Sequence, residues 1–91
     1  MDLAVHHDRQ ALRFEAVVDD HTCTLDYRLA GSVMSITHTS VPAAVGGRGI
    51  AAALTRNALE AARANGWRVV AACEYAAAYL RRHPEYADLT P

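Results

Sequence analysis

From residue 12 the chain alternates: Leu12, Phe14, Ala16 and Val18 share one parity, and Arg13, Glu15 and Val17 the other. Residues 22–29 repeat the pattern, with Cys23, Leu25, Tyr27 and Leu29 set against Thr24, Asp26 and Arg28. A period of two over such lengths predicts half-buried strands. Asp19-Asp20-His21 supplies the turn between them, and Ala30-Gly31-Ser32 supplies another before a third run, "VMSITHTSV". The three runs predict an antiparallel meander. From Ile50 the period changes, and Ile50, Leu54, Ala58, Ala61 and Ala62 recur at helical spacing with Arg56, Glu60 and Arg63 on the other side. Asn65-Gly66 is a helix stop. "RVVAAC" follows as an unbroken apolar run, which suits a strand covered on both faces. Strand, helix, strand predicts a right-handed crossover and a parallel pair. "EYAAAYLRR" predicts a short C-terminal helix that Pro84 ends by restricting His83, and "PEYADLTP" a loop or single turn. The fold class is α+β, a mixed sheet.

Length and composition narrow the picture. Ninety-one residues, 52% of them hydrophobic, predict one domain over residues 1–91 with a single core. No apolar stretch approaches the roughly 20 residues that span a bilayer, and "MDLAVHHDRQ" has neither a basic nor an apolar leader region, so a cytoplasmic protein with no membrane partner is expected. The basic residues are all arginine, are matched by acidic ones and are dispersed, which leaves no stripe for a nucleic-acid partner. Cys23 and Cys73 lie far apart and read as free thiols. His6 and His7 sit in a segment expected to fray and His21 in a turn, so no metal site is expected.

Candidate chemistry begins at "VPAAVGGRGIAAAL", residues 41–54. A helix opens with backbone N–H groups that lack acceptors and with partial positive charge, and glycines ahead of it let the backbone curl around an anion. Gly46, Gly47 and Gly49 meet that need, with Arg48 adding charge. As an isolated motif the cluster also reads as a plain turn. It is not a P-loop, for no Gly-Lys-Ser/Thr follows, nor a dinucleotide fingerprint, for the glycine spacing differs.

Residues 41–89, with Val41-Pro42, the glycine loop, Cys73 and the closing Arg82-His83-Pro84-Glu85-Tyr86, resemble the small single-domain acyl-CoA N-acyltransferases of the GNAT superfamily. The resemblance implies a GNAT-like sheet that binds acetyl-CoA. Backbone amides from Val45 to Ala51, thus of Val45, Gly46, Gly47, Arg48, Gly49, Ile50 and Ala51, would hold the diphosphate. Val41, Cys73 and Tyr79 would lie along the cofactor, and Arg82 reads either as a solvated helix end that complements the dipole or as a contact to the 3′-phosphate. Gly49 and Ala51 match the second half of the superfamily's Q/R-x-x-G-x-G/A motif, whereas Gly46 stands where the family has Gln or Arg.

For the reacting centre, His38 is near the end of the third strand, on the parity of Met34 and Ile36, and reads either as a base for the incoming amine or as a structural histidine. Cys73 either lines the acyl site or accepts the acyl group covalently. Tyr75 and Tyr79, one turn apart, offer a phenol to protonate the departing thiolate or aromatic packing; Tyr79 is the expected acid. Glu85 and Tyr86 are candidates for the substrate mouth. The implied function is transfer of an acetyl group from acetyl-CoA to an amine by direct attack in a ternary complex. Covalent transfer through Cys73 and a non-catalytic acyl-CoA-binding or regulatory module are the alternatives. A monomer or weak homodimer through the strand edges is expected.

Overall fold

The computed structural model describes residues 3–90. Its sheet has the order β1-β2-β3-β4-β5, formed by β1 (His6–Asp8), β2 (Arg13–Val18), β3 (His21–Ala30), β4 (Val33–Ser40) and β5 (Arg68–Ala71). Strands β1 to β4 are antiparallel neighbours, and β5 returns parallel to β4. The crossover is α1 (Ile50–Asn65), and α2 (Glu74–Arg82) follows β5. The expected meander and β-α-β unit are both present, with β1 added at the edge.

His6 and His7, expected to fray, are in that added strand. His7 pairs with Phe14, stacks on its ring at 3.9 Å and meets the Tyr27 hydroxyl through Nε2 at 2.7 Å. Three residues with one alternation carry too little periodicity to announce a strand; the aromatic seat beneath His7 holds it.

Side chains of one parity point to the helices. Phe14, Ala16, Cys23, Leu25, Tyr27, Met34, Ile36 and Val69 are buried there against Leu54, Ala58, Leu59 and Ala62 of α1. Burial of each large side chain contributes about 1.5–3 kcal/mol. Among the described residues the other face carries no helix. There Val17 is 66% and Val70 38% exposed, and Arg13 and Asp26 pair at 2.7 Å. The apolar run of β5 was expected to be covered on both faces; it is covered on one, and the strand ends at Ala71 instead of Cys73.

The β3–β4 ladder contains a bulge. Tyr27 pairs with Ile36, yet Asp26 pairs with His38, so Thr37 is an extra residue on β4; its hydroxyl donates to the Asp26 carbonyl at 3.3 Å. Past the bulge the parity of β4 reverses, as an unpaired residue must make it do.

Helix α1 starts and stops where expected. Gly49 caps its start at φ 77°, and Gly66 closes it at φ 70°, with the N–H of Gly66 on the Arg63 carbonyl and that of Trp67 on the Ala62 carbonyl. These are the two bonds of a left-handed glycine stop. The tail forms a 3-10 segment, Pro84–Leu89, held on α1 by the Tyr86 hydroxyl, which donates to Glu60 Oε2 at 2.6 Å, and by Arg63, which bridges both Asp88 oxygens. Tyr86 is buried, so it serves this attachment and does not form a mouth.

Candidate functional site

Strands β4 and β5 run together only as far as Ile36 and Ala71, with one more bond from the Ala72 N–H to the Ile36 carbonyl at 2.9 Å. Beyond it β4 stays with β3 while the chain turns at Cys73 into α2. The parallel pair therefore parts into a wedge, with residues 37–41 on one side and 72–75 on the other. Thr39, brought to the core parity by the bulge and opposite buried Leu25, spans it: its Oγ1 lies 3.9 Å from Cys73 Sγ. Cys73 is the N-cap of α2, and its sulfur accepts the Ala76 N–H at 3.5 Å.

The same bulge corrects the position of His38. Simple alternation puts it with Met34 and Ile36 on the core face, but its partner is Asp26, and it is exposed on the helix-free face. Sequence parity also passes over Thr39 for this reason. The wedge thus has the depression on its helix side and His38 on the opposite face of the sheet.

At the mouth of the wedge, Pro42 begins a 3-10 turn, Ala43–Val45, that is pinned by Val45, 1% exposed. The N–H of Val45 bonds the Pro42 carbonyl at 3.0 Å and that of Gly46 the Ala43 carbonyl at 3.1 Å. Both amides were expected to face a diphosphate, and both are already taken. The free ones begin later. The first bond of α1 runs from Ala53 N–H to Gly49 C=O at 3.0 Å, so Ile50, Ala51 and Ala52 N–H have no helical acceptor, and Gly49 has no side chain with which to cap them. Gly47 and Gly49 are both at φ 77°, and a Cβ on either would meet nothing within 4 Å. A depression of about 250 Å³ opens there, lined by Val41, Gly46, Gly47, Gly49, Ile50, Ala51, Ala52 and Tyr75. Among the described residues no charged side chain lines it, and it lies at the positive end of the α1 dipole, a setting that suits an anion.

Of the expected cofactor residues, Val41, Gly46, Gly47, Gly49, Ile50 and Ala51 thus meet at one depression, and Ala52 and Tyr75 join them. Val45 lies beneath in the core. Arg48 is turned toward the β2–β3 hairpin, where Nη1 donates to Asp19 Oδ2 at 2.6 Å. Arg82 is exposed in the last turn of α2. The depression is lined by Tyr75 and not by Tyr79, which is buried with its ring stacked on His83 at 3.9 Å. Burial raises the pKa of both phenols, against opposing positive charge from Arg82 at Tyr75 and from Arg56 at Tyr79, so each keeps its proton at neutral pH. Among the described residues no three His, Cys, Asp or Glu gather for a metal, and no helix is long and apolar enough to cross a membrane.

A sheet whose parallel pair parts beside a glycine-capped helix start defines a GNAT-type fold, and a solved structure agrees. The NMR solution structure of a GCN5-like protein from Staphylococcus aureus superposes with a TM-score of 0.77 at 25% identity, covering 98% of this chain and 88% of that one. Residues 13–89 match the family model described as GCN5-related N-acetyl-transferase. The chain belongs to the GCN5-related N-acetyltransferase family. No curated protein matches it.

Proposed function

We propose that the protein transfers an acetyl group from acetyl-CoA to an amine by direct attack in a ternary complex. The observation that carries this reading is the set of N–H groups without helical acceptors at the start of α1, beside a depression at the mouth of the β4–β5 wedge. The family uses acyl-CoA, and the residues fit its diphosphate: N–H groups of Ile50, Ala51 and Ala52 without helical acceptors, and glycines at positions 47 and 49 that leave the approach clear. The cofactor supplies an activated thioester.

The chain's own residues then have separate tasks. The loop holds the anion at the wedge mouth, and Thr39 and Cys73 border the acyl end. His38, on the far face, takes the proton released as the amine nitrogen bonds to the acyl carbon. Tyr75, two residues along α2 from Cys73 and at the rim of the depression, gives its phenolic proton to the thiolate as the carbon–sulfur bond breaks. The acceptor enters from the helix-free face, which suits an amine carried on something larger than the wedge.

A covalent route through Cys73 has one observation in its favour, the sulfur's place inside the wedge beside Thr39. One experiment separates the two. An amide-resolved titration with acetyl-CoA is followed by mass analysis of the same sample and by thiol release on addition of amines. Direct transfer predicts shifts centred on residues 47–52, no added mass, and amine-dependent thiol release. An acetyl group on Cys73 supports the covalent route. Shifts without release for any amine leave a binding module. Absence of shifts at millimolar acetyl-CoA refutes the cofactor site.

A further inference from the structure

Strands β2 and β4 both run antiparallel to β3, so their C-terminal ends lie at the same end of the sheet. This brings the β2–β3 hairpin turn beside the glycine loop, and Asp19 and Arg48 meet across the gap at 2.6 Å, with side chains 64% and 40% exposed. The turn itself has no use for an acid. Asp19 and Asp20 are both left-handed, at φ 49° and 64°, and Asn or Gly serves such a backbone equally well. Asp20 forms no ion pair among the described residues. Arg48 is the cation of the loop, yet it is absent from the lining of the depression.

Resting on the reading of that depression as the diphosphate seat, we propose that Asp19 tempers the site's affinity for acyl-CoA by holding the Arg48 guanidinium on the hairpin. An arriving diphosphate then meets backbone N–H groups and a cation whose charge is already matched. The effect falls on release as much as on capture. Free CoA carries the same diphosphate as its acyl form and must leave in every turnover, so a seat lacking a free guanidinium sheds it faster.

The test is calorimetric titration with CoA at low and at physiological salt, using wild type, Asp19→Asn, Asp20→Asn, Arg48→Gln and the Asp19→Asn/Arg48→Gln double variant. Asparagine keeps the left-handed turn, so the fold is retained, and Asp20→Asn makes the same change in net charge without freeing Arg48. The expected result is a Kd about two- to five-fold tighter for Asp19→Asn, the range an exposed ion pair can exert. The gain should shrink at higher salt, fall to a small fraction in Asp20→Asn, and vanish on the Arg48→Gln background. Binding that is unchanged or weaker in Asp19→Asn overturns the proposal while leaving the cofactor site standing. Equal tightening by Asp20→Asn overturns it too, for the effect is then general charge. No CoA binding in any of the five proteins overturns the cofactor reading and this proposal with it.

Discussion

The glycines of the loop look alike in sequence and are not alike in backbone, which sets up a comparison of Gly46→Ala with Gly49→Ala. Gly46 has φ −67° and ψ 160°, a conformation open to any residue, and a Cβ there would touch the Ala43 carbonyl oxygen at an ordinary 3.5 Å. Gly49 has φ 77° and ψ 16°, with no atom within 4 Å of a Cβ, so only backbone strain opposes alanine. Both variants gain the same stabilisation from a stiffer unfolded chain, about 0.4–1 kcal/mol, which cancels between them. What remains is the left-handed cost, about 1–2 kcal/mol. For a domain of this size that separates the two melting temperatures by roughly 4–16 °C, with Gly49→Ala the lower and Gly46→Ala at or above wild type. Thermal unfolding followed by far-ultraviolet circular dichroism reads it directly. Gly47→Ala, also at φ 77°, should track Gly49→Ala. Equal melting temperatures for the Gly46 and Gly49 variants would refute the assignment of distinct roles within the loop.

Three further outcomes follow from the site and its supports. Tyr75→Phe should lower kcat about 100-fold, the lower range of general-acid contributions, whereas Tyr79→Phe should lower it far less; steady-state kinetics of both variants with a reactive amine decides which phenol serves. Burial, then Arg9 and His6, hold the His7 pKa below the ordinary 6.5, against the opposing charge of Asp8. The unfolded chain therefore takes that proton first, and stability is complete above about pH 6.5 and declines as pH falls through it; His7→Phe should flatten this limb in urea melts taken from pH 7.5 to 5. Burial and the Glu60 carboxylate push the Tyr86 phenol up to about 12 from its usual 10, so its contribution is intact below pH 10 and is lost as pH rises toward 12. Tyr86→Phe should cost about 0.5–1.5 kcal/mol at neutral pH and remove that alkaline decline.

The legible parts of the sequence were those written in local chemistry. Asn65-Gly66 announced its stop because only a residue at ease with positive φ closes a helix that way, and Phe14, Leu25 and Met34 announced their face by alternation. The site was legible as a glycine loop ahead of a helix, since that follows from glycine content and the change of period at Ile50. Its detail was not. The bulge at Thr37 depends on how β3 and β4 pair, which no run within β4 encodes, so parity put His38 on the wrong face and passed over Thr39. Arg48 reads as a ligand until the hairpin turn, 29 residues away in sequence, supplies Asp19. Tyr75 and Tyr79 share a helical face by spacing, and only the packing of the tail separates the one at the depression from the one stacked on His83.

The bulge also bears on how this strand can vary in length. Thr37 is one residue more than the β3 ladder can pair, so a chain lacking it would pair without interruption, with the imidazole still outward and the Thr39 hydroxyl still in the wedge. A gap at this point in a comparison of related chains would record a shorter strand with the same chemistry, whereas a gap two residues further on would exchange the groups that border the acyl end.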